Sequence, residues 1–241
     1  MNPAQVRLGK KPYRHDDRTL KAAELLAEAP LTISPSTLDW FKGGPASGMM
    51  ANDQYGDCTI AAAGHLVQTW TGNNGSVVTI PDDQLVSTYF TLSGGEDSGL
   101  VMLDVLNYWR TTGIAGHKIL GFALADPYDQ LELQQASLLF GGLYLGLNMP
   151  RAWQWQTVWD VAAGSDGVPG TWGGHAVSLG TFDADGIEIF TWGYRQRVTW
   201  GGIRKYCDEP WAVFSPEWLK SGKSPSDFLQ DALETRISFI E

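Results

Sequence analysis

The sequence predicts an α+β fold, with a helical first half and an antiparallel β second half that meet at a cleft. Three observations carry this. Apolar residues recur at helical spacing up to about residue 142 and fall into short alternating blocks after it. The helical stretches stop at Gly113 and at Gly141-Gly142, where glycine suits a helix end. Asp185-Gly186 lies between two strand-like blocks as a hairpin turn.

Residues 1–38 read as a basic arm with one short helix, "DDRTLKAAELLAEAP", acidic at its start and stopped at Pro30. Residues 39–215 read as the main domain, helical over 52–120 and mainly β over 121–215. "FKGGPASGMMANDQYGD" is extended loop. "CTIAAAGHLVQTW", from Cys58 to about Thr71, is a buried helix whose small residues allow close packing. "PDDQLVSTYFTL" starts a second helix behind Pro81. "GLVMLDVLNYWRTTG" is a third and "DQLELQQASLLFGG" a fourth. The strands are "LYLGLNM", "GHAVSLGTFD", "GIEIFTWG", "VTWGGIRKY" and "EPWAVFS". Residues 216–241 read as a helical tail, its helix starting at Ser226 or Asp227.

The chain has 241 residues, 43% hydrophobic and 18% charged, so a substantial core is affordable and disorder is not expected. A net charge of −10 argues against nucleic-acid binding, which needs Lys/Arg clusters. The first 21 residues depart from this balance with Arg7, Lys10, Lys11, Arg14, Arg18 and Lys21. Such an arm either docks on an acidic partner or is a solvated terminus. No secretory signal and no span-length apolar run are visible, so no membrane role is expected; the expected location is cytoplasmic or virion-associated. Two cysteines make no disulfide framework and are expected to stay reduced. The histidines 15, 65, 117 and 175 show no ligand spacing, so neither metal nor cofactor is expected.

Cys58 opens a helix. Unpaired N–H groups and the macrodipole there favour a thiolate over a thiol of ordinary pKa near ~8.5. A histidine would complete the pair, and His175, opening a strand after Gly173-Gly174, is the candidate. His65 lies two turns along the Cys58 helix, about 10 Å away, and reads as a core or cap residue. His117 and His15 have no acidic or cysteine context. Trp153, Trp155 and Trp159 form either a sugar- or peptide-binding wall or core packing. The Gly-rich stretch 162–174 reads as a mobile loop beside His175, a lid or a plain connector. Cys207 reads as structural, and Trp200, Trp211 and Trp218 as core. Asp183 and Asp185 read as solvated turn residues.

Over about residues 39–213 the sequence resembles the papain-like cysteine peptidases, including their bacterial C39-like branch. "LDW" at 38–40 is similar to the Asp-Trp that starts that domain, and Trp40 precedes Cys58 at the family's spacing. "NDQYGDCTIAA" resembles the amide–Gly–x–Cys–helix segment, "SGGEDSGLVMLDVLNYWRTTGI" the Gly-Gly segment with its helix, and "LELQQASLLFGGLYLGLNM" the helix and strand before the histidine. "GGHAVSLGTFD" resembles the histidine strand and "GIEIFTWG" the strand that ends in Asn-Ser-Trp-Gly.

The resemblance implies Cys58 as nucleophile and His175 as general base and acid. It implies an oxyanion hole from the Cys58 N–H and a side-chain amide. Asn52 fits that amide by spacing and Gln54 by residue type, and both stand. Position 191, where the family has Asn or Asp, is Thr191, able to hold a tautomer but uncharged. Trp192 would shield the His–Thr contact from water. The implied function is a thiol peptidase or amidase acting on a peptide or a peptidoglycan peptide, with the arm as a built-in cleft cover. The other expectation is a papain-like binding or structural module with weak or lost catalysis. "RHDDRTL", "ND…GDCTIAAAGH" and "TWG" also resemble uncharacterised proteins of tailed bacteriophages and prophages, which implies virion subunits as partners through the arm 1–21 and the C-terminal helix. CHAP amidases and transglutaminase-like domains share the cysteine-then-histidine order but do not explain the Asp-Trp to Cys spacing.

Overall fold

The computed structural model describes residues 6–28 and 36–220. The expected helix stop at Pro30 and the tail helix from Ser226 or Asp227 lie outside the described residues. Helix α1 (Ala22–Glu28) closes the arm, and a two-residue strand β1 (Leu38–Asp39) enters the main body. Three helices follow: α2 (Cys58–Asn73), α3 (Asp82–Ser93) and α4 (Met102–Thr111). Then come β2 (Gly121–Leu124), α5 (Gln130–Phe140), β3 (Leu143–Met149), β4 (Gly173–Phe182) and β5 (Gly186–Thr191). β6 (Tyr194–Thr199), α6 (Trp200–Tyr206), β7 (Cys207–Phe214) and α7 (Pro216–Leu219) complete the described chain. All paired strands are antiparallel, in the order β2-β7-β3-β4-β5-β6, with β1 on β4.

Local chemistry sets the helix boundaries. Pro81 precedes α3, and Asp82 and Asp83 place negative charge on its positive end. Asp129 caps α5 by accepting from the Glu132 N–H, and Gly141, at φ 70°, ends it. α2 is buried all round, so its polar side chains need internal partners. Thr69 and Thr71 donate to the carbonyls of His65 and Val67, and Gln68 bonds Ser47 and Thr79.

The stretch expected as the strand "VTWGGIRKY" divides into the end of β6 and a helix. Thr199 caps α6 by accepting from the Gly202 N–H. Trp200, Ile203 and Tyr206 then fall three apart on one buried side, a helical period. Strand β2 was not expected, and of β6 only its end, Val198 and Thr199, fell in an expected strand. β6, "YRQRVT", is polar and buries only Gln196 and Val198, so its alternation is faint. The span 121–215 holds the six strands β2 to β7 together with α5 and α6.

Among the described residues two large apolar cores form, beside a small cluster of Phe41, Ala46 and Phe190. One joins α2, α3 and α4, and the other backs the sheet around β3, β4 and β5. α2 packs on β4 and brings them together. The last turn of α5 is held in an unusual way. The indole N–H groups of Trp40, Trp218 and Trp70 donate to the carbonyls of Ser137, Leu139 and Phe140; Ser137 also accepts from the Gly141 and Gly142 N–H groups that close the helix. Trp200, Trp211 and Trp218 are core, as expected.

Candidate active site

Cys58 stands at the N-terminus of α2, His175 near the start of β4 and Thr191 at the end of β5. Antiparallel pairing of β4 with β5 carries Thr191 to the ring: His175 Nε2 lies 2.6 Å from Thr191 Oγ1. With the proton on Nε2, Thr191 accepts it and Nδ1 keeps a free lone pair; Nδ1 has no hydrogen-bond partner. Trp192 stacks on the imidazole at 4.3 Å between ring centroids and 20° between planes, and so screens the His–Thr contact. The Ala176 N–H donates to Cys58 Sγ at 3.4 Å, which fixes the thiol against β4.

Asn52 lines the same cavity as Cys58, His175, Thr191 and Trp192. Its amide donates to the Tyr55 carbonyl at 3.1 Å. Gln54, the other expected amide, is exposed and is not part of that wall. The physical reason is the turn before it: Met50 and Ala51 hold left-handed φ of 54° and 67°. Non-glycine residues resist this conformation, and such strain concentrates at functional sites. Trp192, at φ 46°, is a third case beside the same cavity. His65 also reaches the cavity wall; it is a core residue, as expected, bonded to the Gly48 carbonyl and packed on Phe190.

The arm was expected to dock on a partner, lie solvated or cover the cleft. Residues 7–11 cross the cleft. Arg7 N–H donates to the Asn52 carbonyl, Lys10 N–H to Gly174 and Lys11 N–H to Leu100, while Leu100 N–H donates to Gly9. Gly9 passes so close to the loop before Cys58 that a Cβ there would lie 1.7 Å from the Gly56 carbonyl oxygen. Lys10 and Arg14 meet acidic residues of the chain itself: Asp208, Glu209 and Asp104.

This cover overturns the expected thiolate. Cys58 and His175 are each 1% exposed, and the cavity between them holds no water-sized space. Burial raises the thiol to about 12, against the pull of the Ala176 and Gly9 N–H groups. Burial also lowers the imidazole to about 3. Desolvation outweighs the helix end here, because both partners are shut away from water at once. In this covered form the pair is neutral thiol and neutral ring.

The remaining expectations sort simply. Cys207 is buried, and both cysteines are free. Among the described residues no group of His, Cys, Asp and Glu could hold a metal ion. No helix there is long and apolar enough to cross a membrane. His117 does have an acidic neighbour, Glu217, at 2.5 Å. His15 has Asp17 at 2.7 Å. Trp153 and Trp159 stack in the core at 4.7 Å, and Trp155 is exposed. The loop 162–174 is a pinned connector: Tyr206 Oη accepts from Ala162 N–H and donates to the Gly167 carbonyl. Asp183 closes its turn by accepting from the Asp185 and Gly186 N–H groups.

Sequence reasoning missed Asp208, Glu209 and the role of Lys10. The only signal was an acidic pair at the head of a strand otherwise buried, opposite a basic arm in a chain of net charge −10.

No family model and no curated protein matches the sequence. Solved structures do match. The chain is similar to xylellain, a cysteine protease from Xylella fastidiosa, at 13% identity and TM-score 0.66, over 88% of this chain and 97% of that one. It is similar to the Carica candamarcensis cysteine protease CMS1MS2, solved with E-64, at 14% identity and TM-score 0.56, over 75% and 99%. It is also similar to digestive procathepsin L2 from Tenebrio molitor, at 11% identity and TM-score 0.61, over 88% and 79%. The fold is that of the papain-like cysteine proteases.

Proposed function

We propose that this chain is a thiol peptidase or amidase held at rest by its own N-terminal arm. One observation carries the reading: Cys58, His175, Thr191, Asn52 and Trp192 converge on a single cavity, with the imidazole held by Thr191 at 2.6 Å. When the arm leaves, water returns and both pKa values relax toward their ordinary range. The Cys58 proton passes to His175 Nδ1. The sulfur attacks the carbonyl carbon and forms a C–S bond. The oxyanion is met by the Cys58 N–H and the Asn52 amide once that amide turns from the Tyr55 carbonyl. His175 then returns the proton to the leaving nitrogen as the C–N bond breaks. Water, activated by the same ring, hydrolyses the thioester.

The Gly9 N–H faces Sγ, and the Gly9 and Arg7 carbonyls are turned to Leu100 N–H and Trp192 Nε1.

A second reading has one observation in its favour. Thr191 is uncharged and stabilises an imidazolium less than a carboxylate does, which suits a module with weak or lost catalysis, such as a virion component. The test treats the full chain with E-64, the ligand in the Carica candamarcensis structure, after mild proteolysis of the arm. A covalent adduct on Cys58, absent in Cys58→Ala and His175→Ala, supports the peptidase. An arm-free chain whose Cys58 forms no adduct and hydrolyses no peptide library overturns it.

A further inference from the structure

Lys10 is a charged residue shut away from water. Its side chain is 0% exposed, with Nζ 3.0 Å from Asp208 Oδ2 and 3.0 Å from Glu209 Oε1. The pocket around it is built. Asn148 Nδ2 donates to Asp208 Oδ2 at 2.8 Å, and Trp211 Nε1 to Glu209 Oε2 at 3.1 Å, so both carboxylates are aimed by neighbours on the sheet. Gly146, on β3, leaves room for the lysine stem; a Cβ there would lie 2.4 Å from Lys10 Cε and 2.4 Å from Glu209 Cγ. Glu209 is 0% exposed. An empty or apolar-filled pocket would strand that carboxylate, which is costly in the interior. One acceptor, Asp208 Oδ1, still lacks a hydrogen bond with Lys10 in place, so the pocket suits a donor-rich cation.

The pocket adjoins the thiol. Gly9, the neighbour of Lys10, lies against Gly56 and donates toward Cys58 Sγ. Lys10 pairs with Leu100 at the edge of the cleft through backbone hydrogen bonds that any peptide could make. We propose that the pocket closed by Asp208 and Glu209 selects a lysine or arginine side chain of a peptide substrate, one residue from the bond presented to Cys58, and that Lys10 fills it as an internal stand-in. This rests on the peptidase reading of the same cleft.

Binding is measured without turnover. The full chain carries Cys58→Ala and Lys10→Ala, and short fluorescent peptides differing only by Lys, Arg, norleucine or Glu at one position are titrated by anisotropy. The Lys and Arg peptides bind about 10²-fold more tightly than norleucine, the penalty for a stranded buried charge, and Glu209→Gln removes the difference. Equal binding of norleucine and lysine peptides, or a preference that survives Glu209→Gln, overturns the proposal. If the double variant does not fold, the otherwise unaltered chain serves. Lys10→Arg keeps Cys58 slow to alkylate and Lys10→Met speeds it at least about tenfold, and equal rates overturn the proposal. Basic preference without hydrolysis sinks only the peptidase reading. Hydrolysis without basic preference sinks only this one.

Discussion

Gly9→Ala isolates the arm as the cause of the silent thiol. Its Cβ would meet the Gly56 carbonyl oxygen at 1.7 Å and the carbonyl carbon at 2.4 Å, both backbone atoms that cannot swing aside. An ordinary contact begins near 3.4 Å, so the arm must retreat by an amount comparable to the 1.7 Å gap itself. Such a shift carries three backbone hydrogen bonds, now 3.1, 2.8 and 2.8 Å, past useful length: Lys10 to Gly174, Leu100 to Gly9 and Lys11 to Leu100. At about 1 kcal/mol each, the covered state loses about 3 kcal/mol, and the uncovered population rises about 10²-fold. Covered Cys58, at about 12, is essentially un-ionised at pH 7. An uncovered thiol near ~8.5 is a few per cent thiolate, so alkylation runs through the uncovered state. Iodoacetamide labelling of Cys58, followed by peptide mass mapping at pH 7 to separate it from Cys207, should therefore accelerate about 10²-fold. A Gly9→Ala chain with unchanged Tm and a labelling rate within about threefold of the parent would refute the reasoning, since a shift of that size is far below the ~3 kcal/mol assigned.

Three further outcomes are expected. Thr191→Ala leaves the buried His175 Nε2 without a partner, lowering stability by about 1–3 kcal/mol and hydrolysis by ten-fold or more; Thr191→Asn restores both, read by Tm and kcat/KM. Burial raises the Asp57 carboxyl to about 8, against the pull of the Asn52 amide, so the folded chain binds a proton there that the unfolded chain releases near its ordinary ~3.9. Stability from this group therefore falls as pH rises from ~4 to ~8, by at most about 1.4 kcal/mol per unit; Asp57→Asn flattens that slope in urea titrations, and an unaltered slope contradicts it. Trp218→Phe removes the N–H from the Leu139 carbonyl and leaves a smaller ring in a buried site, so a loss of more than about 1 kcal/mol in denaturant unfolding is expected, whereas no change would deny the indole its capping part.

Much of the fold was legible because its elements repeat one signal over enough residues. α2 and α5 show helical spacing over several turns and α5 ends at a glycine that takes left-handed φ, so both fall close to their expected bounds. α6 hides because its seven residues carry Gly201-Gly202 and only three spaced apolar positions. Cys58 was legible from a helix start, His175 from a strand after a glycine pair and Thr191 from the resemblance to the papain-like peptidases, and the structure brings them to one cavity. The choice between Asn52 and Gln54 was not legible, since it depends on two left-handed residues no propensity anticipates. Nor was the burial of Lys10. A lysine in a basic run reads as solvated, and its carboxylate Asp208 stands 198 residues away. The helix end at Cys58 misled for the same reason: the arm that dries the thiol is remote in sequence.

The three indoles on the last turn of α5 also bear on how the chain reaches this state. Their hydrogen bonds join residues 97, 70 and 79 positions apart. Each closes a long loop, and such contacts are met late, because chain entropy is surrendered before they return anything. α5 can form early from its own cap and glycine stop, which satisfies Ser137, but the carbonyls of Leu139 and Phe140 wait on Trp218 and Trp70. The cleft is thus completed only after both halves of the chain have found that turn. Tryptophan fluorescence should report it as the slow, final phase of refolding.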